Sequence, residues 1–406
     1  MRPRRLVAVT MSATFPPRRG NQIRTASLLG SLGPDWLVES HSLTVQRTDL
    51  PLPRRRHRAS ARWVDNRTRD PIATAWTIAF ARLEKPPVYV HKLIGLWPHR
   101  HLTRALATAD AVLVSPPYQF SWVRKHTPRS TPVVLDEHSI EADLYRDPRA
   151  WWTRAIAREV ERVERESITG ADLVFVTSDE DGVRVRNWGA RRVALVPNGV
   201  DLRLFTPVAR ERKHALRAEL GLPANGSLAV FVGSGHPPNV EAVGLLEKEA
   251  AAYRKAGITV VVIGRCGLGR QQVDGIILVG EVADVPAYLQ AADIALCPLQ
   301  GGSGTSLKVI EYLAVGTPVI STGVGVRGLG LKNGVEFVLS DAREMPGRAA
   351  ALLSDPHAMH AMSRAGIEAA ARFSWDPIGR AAADELGTLV TSRADEARIP
   401  GDERHE

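Results

Sequence analysis

Cysteine is scarce in this chain and long hydrophobic runs are missing, and each absence excludes a class of protein. The 406 residues include two cysteines, Cys266 and Cys297, which are too few for a disulfide framework. We expect both to be buried thiols in a reducing cytoplasm. No apolar run approaches the length of about 18 residues that predicts a membrane-spanning helix. The length and the composition predict instead a globular protein of two domains.

Acidic residues are also scarce at the N-terminal end. Residues 1–62 contain twelve arginines and three acids, and this difference equals the formal net charge of +9. The densest part is residues 54–58, Arg-Arg-Arg-His-Arg. Two interpretations stay open: a solvated face, or a peripheral contact with the inner face of the membrane or with an anionic acceptor. Nucleic acid is not predicted as a partner, because no stacking aromatics, zinc ligands or helix-turn-helix pattern accompany the arginines.

Strand-like and helix-like segments alternate along the chain, which predicts βαβ units and parallel sheets. Continuous apolar runs such as 260–263 indicate strands that are buried on both faces. The strands predicted from such runs are 6–10, 112–115, 133–136, 173–177, 193–197, 228–232, 259–263, 276–279, 294–298 and 319–321.

Turn residues mark a domain boundary near residues 197–201, Pro-Asn-Gly-Val-Asp. The fold class predicted is α/β with two Rossmann-like domains. The first covers 1–195 and the second covers 200–372. Residues 391–406 carry many charges and little apolar periodicity, which predicts a disordered tail.

The segment 301–311, Gly-Gly-Ser-Gly-Thr-Ser-Leu-Lys-Val-Ile-Glu, is the most informative part of the sequence. It joins a predicted buried strand to a predicted helix, and its glycines allow backbone N–H groups to approach an anion. The N-terminus of the helix adds unpaired N–H groups and the positive end of a dipole. Lys308 and Glu311 lie on one helical face, so that a cation and a carboxylate stand side by side. The pattern is typical of a nucleoside diphosphate site, and a tight turn without a ligand stays open as the alternative.

Several segments together resemble the family 4 glycosyltransferases of GT-B fold, which use nucleotide sugars and retain the anomeric configuration. The GT-B fold has two Rossmann-like domains that face each other across a cleft. The matching segments run in the order of the family and cover nearly the whole chain. They are residues 15–21, 136–141, 196–207, 231–242, 280–293, 301–320 and 373–375.

The resemblance implies that the first domain binds the acceptor, that the second binds the nucleotide sugar, and that a helix at 376–390 packs back on the first domain. It also implies roles for particular residues. Glu311 would hold the ribose hydroxyls and His138 would lie beside the transferred sugar, where imidazole can share a proton. Arg265 and Val282 lie where the family reads the nucleotide base. The substrate-binding residues implied are Gly20, Asn21, Gly233, Ser234, Arg265, Val282, Gly302, Ser303, Gly304, Thr305, Ser306 and Leu307.

The sequence departs from the family pattern at two points. The family has a first donor glutamate eight residues before the second, and Ser303 occupies that place here. The Arg/Lys pair that neutralises the diphosphate in many members is replaced by Ser234, Gly235 and His236. We expect Lys308 to substitute for this pair, with Arg265 or Arg327 behind it, because the charge of the leaving group must be balanced.

Three other motifs suggest different chemistry and are given less weight. The stretch 323–328 matches a dinucleotide-binding fingerprint, but no helix is predicted after it. The acidic run 179–181 resembles a metal-binding triplet, yet it follows Ser178 at a predicted helix start, where acids favour the dipole. The acids at 136, 137 and 141 would suit glycoside hydrolysis, but the glycine-rich loop favours transfer.

The sequence therefore predicts a cytoplasmic, retaining glycosyltransferase of cell-envelope glycan biosynthesis. Its partners would be a nucleotide-sugar donor and a glycan, lipid-linked or small-molecule acceptor, without a cofactor or a metal. Two alternatives remain: a GT-B nucleotide-sugar 2-epimerase, and a non-catalytic GT-B scaffold that binds a nucleotide or a partner protein.

Overall fold

The computed structural model describes residues 2–11, 13–15, 17, 20–43, 56–67, 75, 96–97, 99–144, 151–302 and 304–396. The chain divides into two compact units. Unit 1 comprises Met1–Pro197 and Trp375–Glu406, and unit 2 comprises Asn198–Ser374. Each unit has its own sheet and its own hydrophobic core.

Unit 1 is built on an eight-stranded sheet. Its strands are β1 (Arg4–Thr10), β2 (Trp36–Ser42), β3 (Arg56–Arg58), β4 (Trp63–Arg67), β5 (Ala111–Ser115), β6 (Val133–Glu137), β7 (Leu173–Val176) and β8 (Val193–Leu195). They lie in the order β3-β4-β2-β1-β5-β6-β7-β8. Neighbouring strands are parallel, except that β3 runs antiparallel to β4.

Helices connect these strands. Those described before the second unit are α1 (Gly20–Gly30), α2 (Arg100–Ala107), α3 (Phe120–His126), α4 (Glu141–Leu144), α5 (Trp151–Gly170) and α6 (Asp179–Asn187). The central strands β1, β5 and β6 are apolar and buried, as their continuous hydrophobic runs predict. Thr10 pairs with Ser115, and Val114 pairs with Leu135. The carboxyl ends of β1, β5 and β6 therefore meet at one edge of the sheet, where α/β proteins place functional loops.

Unit 2 has a six-stranded, wholly parallel sheet with the order β11-β10-β9-β12-β13-β14. Its strands are β9 (Ser227–Val232), β10 (Ile258–Ile263), β11 (Ile276–Gly280), β12 (Ile294–Cys297), β13 (Val319–Ser321) and β14 (Phe337–Leu339). Its helices are α7 (Arg210–Glu219), α8 (Pro237–Lys248), α9 (Ala250–Lys255), α10 (Val285–Ala291), α11 (Leu307–Ala314), α12 (Met345–Leu353) and α13 (Pro356–Ala371). The two parallel sheets confirm the predicted α/β fold class.

The strands β2, β3, β4 and β14 were not predicted from the sequence. Strand β2 contains Glu39, Ser40 and His41, so it lacks the continuous apolar run that marks the other central strands. Strand β3 falls in the basic cluster and its three residues are exposed at the edge of the sheet, where charged side chains discourage pairing with other chains. Arg54 and Arg55 lie outside the described residues.

The last helix, α14 (Trp375–Glu396), belongs to unit 1, although unit 2 precedes it in the chain. It packs closely on the end of α1, since a Cβ atom on Gly379 would lie 2.3 Å from the Cβ atom of Ser31. The prediction of a disordered tail from Thr391 is wrong for residues 391–396, because the helix continues to Glu396. Residues 397–406 lie outside the described part of the chain.

Among the described helices, none has the length and apolarity needed to cross a bilayer.

Candidate active site

In unit 2 the predicted glycine-rich loop connects the end of β12 to the start of α11. Helix α11 begins at Leu307, as predicted, and Ser306 is its N-cap in an extended conformation without a side-chain cap. Gly302 and Gly304 have φ angles of +125° and +69°, which only glycine adopts readily. Ser303 lies outside the described residues. The loop thus presents an uncapped helix N-terminus, the arrangement that binds anions.

Two side chains brace this loop from within unit 2. Arg327 donates to the carbonyl oxygens of Gly302 and Gly304 at 3.1 and 3.0 Å. Asn198 donates to the hydroxyl and the carbonyl oxygen of Thr305 at 2.8 and 3.2 Å. Neither contact is predicted from the sequence. The sequence predicts that Asn198 is part of a turn and that Arg327 is a second candidate to balance the diphosphate charge, although Asn198 lies in the segment 196–207 that carries the family resemblance.

Lys308 points from the first turn of α11 into the unit. Its Nζ atom donates to Oδ1 of Asn239 at 2.5 Å and lies 4.5 Å from the centre of the Phe231 ring. Burial lowers the pKa of Lys308, and the neighbouring Cys297, Cys266 and Glu311 offset this effect only in part. A buried ammonium group that donates to a neutral amide is energetically unfavourable by itself. An anion next to Lys308 would stabilise the charged form of its side chain.

Glu311 lies one turn further along α11, on the same face as Lys308. No side chain in the described part of the chain donates a hydrogen bond to its carboxylate or forms an ion pair with it. Burial raises the pKa of Glu311 to about 7, against the smaller opposing effect of Lys308. The acceptor capacity of this carboxylate is therefore unused among the residues that the structure describes.

The other predicted donor residues of unit 2 lie at the ends of β9, β10 and β11. Gly233 is buried and Ser234 is exposed, and Asn239 donates to the Ser234 hydroxyl at 3.2 Å while it also accepts from Lys308. Exposed Arg265 follows β10 and forms an ion pair of 3.3 Å with Glu281. Val282 is half-buried after β11. Ser234 and Lys308 are thus linked through Asn239, which lies in the segment 231–242 of the family resemblance but is not among the predicted site residues.

In unit 1 the predicted glycine loop ends at Gly20, which begins helix α1. The side chain of Asn21 accepts a hydrogen bond from the backbone of Gln22 at 2.9 Å. Arg18 and Arg19 lie outside the described residues. Gly20 and Asn21 therefore stand at a second helix N-terminus.

His138 follows β6, at the strand edge that also carries Thr10 and Ser115. Its side chain is 16% exposed. The Nδ1 atom lies 3.4 Å from the Ser115 hydroxyl, and the Nε2 atom lies 3.9 Å from a carboxylate oxygen of Glu141. The ring thus has one hydrogen-bonding partner, the Ser115 hydroxyl, and a carboxylate oxygen of Glu141 nearby, while part of it reaches solvent.

The acids around His138 are occupied by protein partners. Asp136 forms a buried ion pair with Arg24, whose NH2 atom lies 2.7 Å from its Oδ1, and Arg24 also donates to the Pro197 carbonyl oxygen at 3.1 Å. Glu141 accepts a hydrogen bond of 2.6 Å from Tyr118. This arrangement does not leave a pair of carboxylates open for glycoside hydrolysis.

Glu137 is fully buried beside Glu164 of helix α5. The Glu164 carboxylate accepts from the backbone N–H groups of Glu141 and Ala142 at 2.5 and 3.2 Å, and so it holds the start of α4. Burial and the adjoining carboxylates raise the pKa of Glu137 well above its usual range. Burial likewise raises the pKa of Glu164 to about 8. The pair therefore holds a proton at neutral pH, and Glu137 is its better carrier because Glu164 already accepts two N–H groups.

The motifs given less weight are also placed by the structure. The acidic run 179–181 forms the first turn of α6, and Ser178 caps it by accepting from the Asp181 backbone. The stretch 323–328 is a series of turns without a following helix. Both observations agree with a structural explanation of these motifs.

Two family models match this chain. The model of glycosyltransferase family 4 matches residues 47–204, and the model of group 1 glycosyl transferases matches residues 226–355. Together these matches cover well over half of the chain and extend into both units.

Curated relatives include D-inositol 3-phosphate glycosyltransferases. The protein of that name from Segniliparus rotundus is 33% identical over 55% of this chain and 52% of its own length. The one from Mycobacterium avium is 30% identical over 52% of this chain and 54% of its own length. The chain thus matches about half the length of these relatives.

Solved structures resemble the chain over almost its whole length. Sucrose-phosphate synthase from Thermosynechococcus elongatus has a TM-score of 0.72 and 21% identity, and the match covers 96% of this chain and 100% of that one. The Anabaena protein Alr3699/HepE in complex with UDP has a TM-score of 0.69 and 15% identity, with 96% and 100% covered. At such identities the likeness establishes the fold. The chain belongs to the family 4 (group 1) glycosyltransferases, and its fold is GT-B.

Proposed function

We propose that the protein is a retaining glycosyltransferase that uses a nucleoside diphosphate sugar as its donor. One observation carries the proposal: the glycine-rich loop opens into the uncapped N-terminus of α11, and Lys308 and Glu311 lie on the same face of that helix. A diphosphate suits the helix N-terminus and the ammonium of Lys308, and the hydroxyls of a ribose suit the carboxylate of Glu311. Related solved structures add support, because HepE binds UDP and UDP-glucose.

Each group has a role in this proposal. The backbone N–H groups of residues 305–307 and the ammonium of Lys308 would balance the diphosphate charge, which grows as the sugar departs. Glu311 would accept hydrogen bonds from the ribose hydroxyls. Arg265 and Val282 would contact the base. Because the protein supplies these positive groups itself, the proposed reaction requires no metal ion and no cofactor.

Retention would proceed by attack of the acceptor on the same face from which the diphosphate leaves. Among the described residues near His138, Asp136 is held by Arg24 and Glu141 is held by Tyr118. Neither is therefore well placed as a covalent nucleophile. His138 would hydrogen-bond the transferred sugar, and the leaving phosphate would take the acceptor proton.

For the acceptor we propose a polar, anionic molecule of cell-envelope glycan biosynthesis, either small or linked to lipid. The matched relatives are named for transfer to an inositol phosphate. The excess of arginine in residues 1–62 also supports a negatively charged acceptor. If the acceptor is carried by a membrane, charge reversal at Arg54, Arg55 and Arg56 lowers association with anionic vesicles at low salt. Unchanged association would contradict the membrane contact.

The test is calorimetric binding of UDP, GDP, ADP and dTDP to the wild type and to Glu311→Ala. We expect one nucleotide to bind in preference to the others, and Glu311→Ala to weaken that binding at least about tenfold, because two hydroxyl hydrogen bonds are lost. The matched control is Glu368→Ala, which removes an exposed helical glutamate in the same unit. With the donor identified, the anomeric configuration of the product, read by NMR, tests retention.

The other outcomes separate the alternatives. If none of the four nucleotides binds, the donor site is absent and a scaffold function replaces the proposal. Conversion of the nucleotide sugar without any acceptor would indicate a 2-epimerase. Equal loss of binding in Glu311→Ala and Glu368→Ala would remove the donor role of Glu311.

A further inference from the structure

A cluster of two histidines and one glutamate lies in unit 1, on residues that the proposed reaction does not use. It consists of Glu39 and His41 of strand β2 and His101 of helix α2, and we refer to it as the Glu39 cluster. The Nε2 atom of His41 lies 3.2 Å from Oε1 of Glu39, and the Nδ1 atom of His101 lies 4.0 Å from the same oxygen. One ligand atom from each residue falls within 4.8 Å of the other two.

The fold brings these residues together for simple reasons. Residues 39 and 41 are two positions apart in a strand, so their side chains project from the same face of the sheet. His101 stands in the first turn of α2, and its ring centroid is 5.5 Å from that of His41. The His41 side chain is fully buried, whereas that of His101 is 72% exposed. The cluster therefore has a fixed inner ligand and an outer ligand through which an ion can enter.

The geometry is close to that of a zinc site. Zinc binds histidine nitrogen and carboxylate oxygen at about 2.0–2.2 Å, so neighbouring ligand atoms of a tetrahedron are about 3.3 Å apart. The separation between His41 and Glu39 already has this value. His101 would have to approach Glu39 by about 0.7 Å, and its ligand atom, which lies within 4.8 Å of that of His41, would have to approach His41 as well. Rotation of an exposed side chain allows both movements. Two imidazoles and one carboxylate with an open fourth position suit Zn²⁺ better than Mg²⁺ or Ca²⁺.

The surroundings of Glu39 both help and oppose a metal ion. Asn66 donates to Oε1 and Arg5 donates to Oε2, each at 3.1 Å, and such contacts orient a ligating carboxylate. The positive charge of Arg5 reduces the affinity, but it lies on the oxygen that faces away from the two histidines.

We propose that Glu39, His41 and His101 bind a zinc ion that ties helix α2 to strand β2. The ion is a structural one and takes no part in glycosyl transfer. The ion would displace protons from the imidazoles, which must be neutral to coordinate it. The site goes beyond the proposed function, because it uses none of the residues assigned to the donor or to the transferred sugar.

The test is a titration of the metal-free, untagged full chain with Zn²⁺ against a chromophoric chelator. We expect one equivalent to bind near neutral pH, with an affinity that falls in acid, because protons compete with the ion for the imidazole nitrogens. His101→Ala should weaken the binding at least about tenfold and should leave the fold unchanged, because the side chain is exposed. His360→Ala is the matched control, since it removes another exposed helical histidine and should leave the affinity unchanged.

Two further measurements complete the test. Zn²⁺ should raise the Tm of the wild type and of His360→Ala but not that of His101→Ala. Nucleotide binding should be equal in all three proteins, so that failure of the zinc site and failure of the donor site remain distinguishable. The proposal is overturned if no stoichiometric binding occurs, or if His101→Ala binds Zn²⁺ as tightly as the wild type does.

Discussion

The carboxylates at the candidate sites of the two units differ in what they contact. In each unit these carboxylates lie near the carboxyl ends of parallel strands or on the helices that follow the strands. In unit 1, Asp136 is paired with Arg24, Glu141 accepts from Tyr118, and Glu164 holds two backbone N–H groups. In unit 2, Glu311 has no such partner in the described part of the chain, and its neighbour Lys308 contacts a neutral amide. An acid whose acceptors are filled by the protein maintains the fold, whereas an acid left unfilled is available to a ligand.

Loss of Arg24 should give the largest effect, because it leaves the Asp136 carboxylate buried without a counter-charge. We expect Arg24→Met to lower the free energy of unfolding by about 3–5 kcal/mol, measured by urea denaturation. The double variant with Asp136→Asn should recover part of this loss. Arg364→Met, which breaks an exposed pair with Glu368, should change stability by less than about 0.5 kcal/mol. A similar loss in both single variants would contradict the contrast between the units.

Replacement of Lys308 should lower the activity and not the stability, whereas replacement of Arg24 should lower the stability. Lys308→Met should reduce turnover about 100-fold, because it removes a charge aimed at the leaving diphosphate. The same change should not lower the free energy of unfolding, since it also removes a desolvated ammonium. Steady-state kinetics and urea denaturation of one preparation give both values. Turnover within about a factor of two of the wild type would exclude the proposed role of Lys308.

The buried pair Glu137–Glu164 should tolerate substitution at one member only. Glu164→Gln places an NH₂ group opposite two backbone N–H groups, and we expect a loss of about 2 kcal/mol in unfolding free energy. Glu137→Gln resembles the protonated acid and can still donate to Glu164, so the loss should stay below about 1 kcal/mol. Equal losses in the two variants would remove the distinction between the two acids, and a larger loss in Glu137→Gln would place the proton on Glu164 instead.

The smallest effect is the dependence of stability on pH. Glu311 and Glu164 have pKa values raised from 4.5 to about 7 and about 8, so the folded protein binds more protons than the unfolded chain within these ranges. The free energy of unfolding should therefore fall as the pH rises from about 4.5 to about 8. Glu311→Gln should flatten the part of this fall below pH about 7, and bound nucleotide should change it too. A slope unchanged by Glu311→Gln would show that Glu311 titrates normally.

The sequence predicts well what depends on local pattern. The buried strands, the start of α11 at Leu307 and the helix after Ser178 are confirmed, because apolar runs, glycines and caps act within a few residues. The polar strands β2 and β4 were missed, since their hydrophobic pattern is broken by side chains that are satisfied only in three dimensions. The same reason hid the partners of the site: Asn198, Asn239 and Arg327 contact the donor loop or Lys308 from positions distant in sequence. The catalytic and binding roles themselves stay predictions.

Helix α14 has a consequence for the order in which the protein folds during its synthesis. All of unit 2 is one continuous stretch of chain, and its two ends are joined by a hydrogen bond of 2.7 Å between Val200 N and Phe373 O. Unit 1 is interrupted, and it lacks α14 until the ribosome has produced the residues after Trp375. Domains generally fold as units while the chain emerges. The unit that is begun second is therefore the one that can be completed first, and the unit begun first must wait for the last helix.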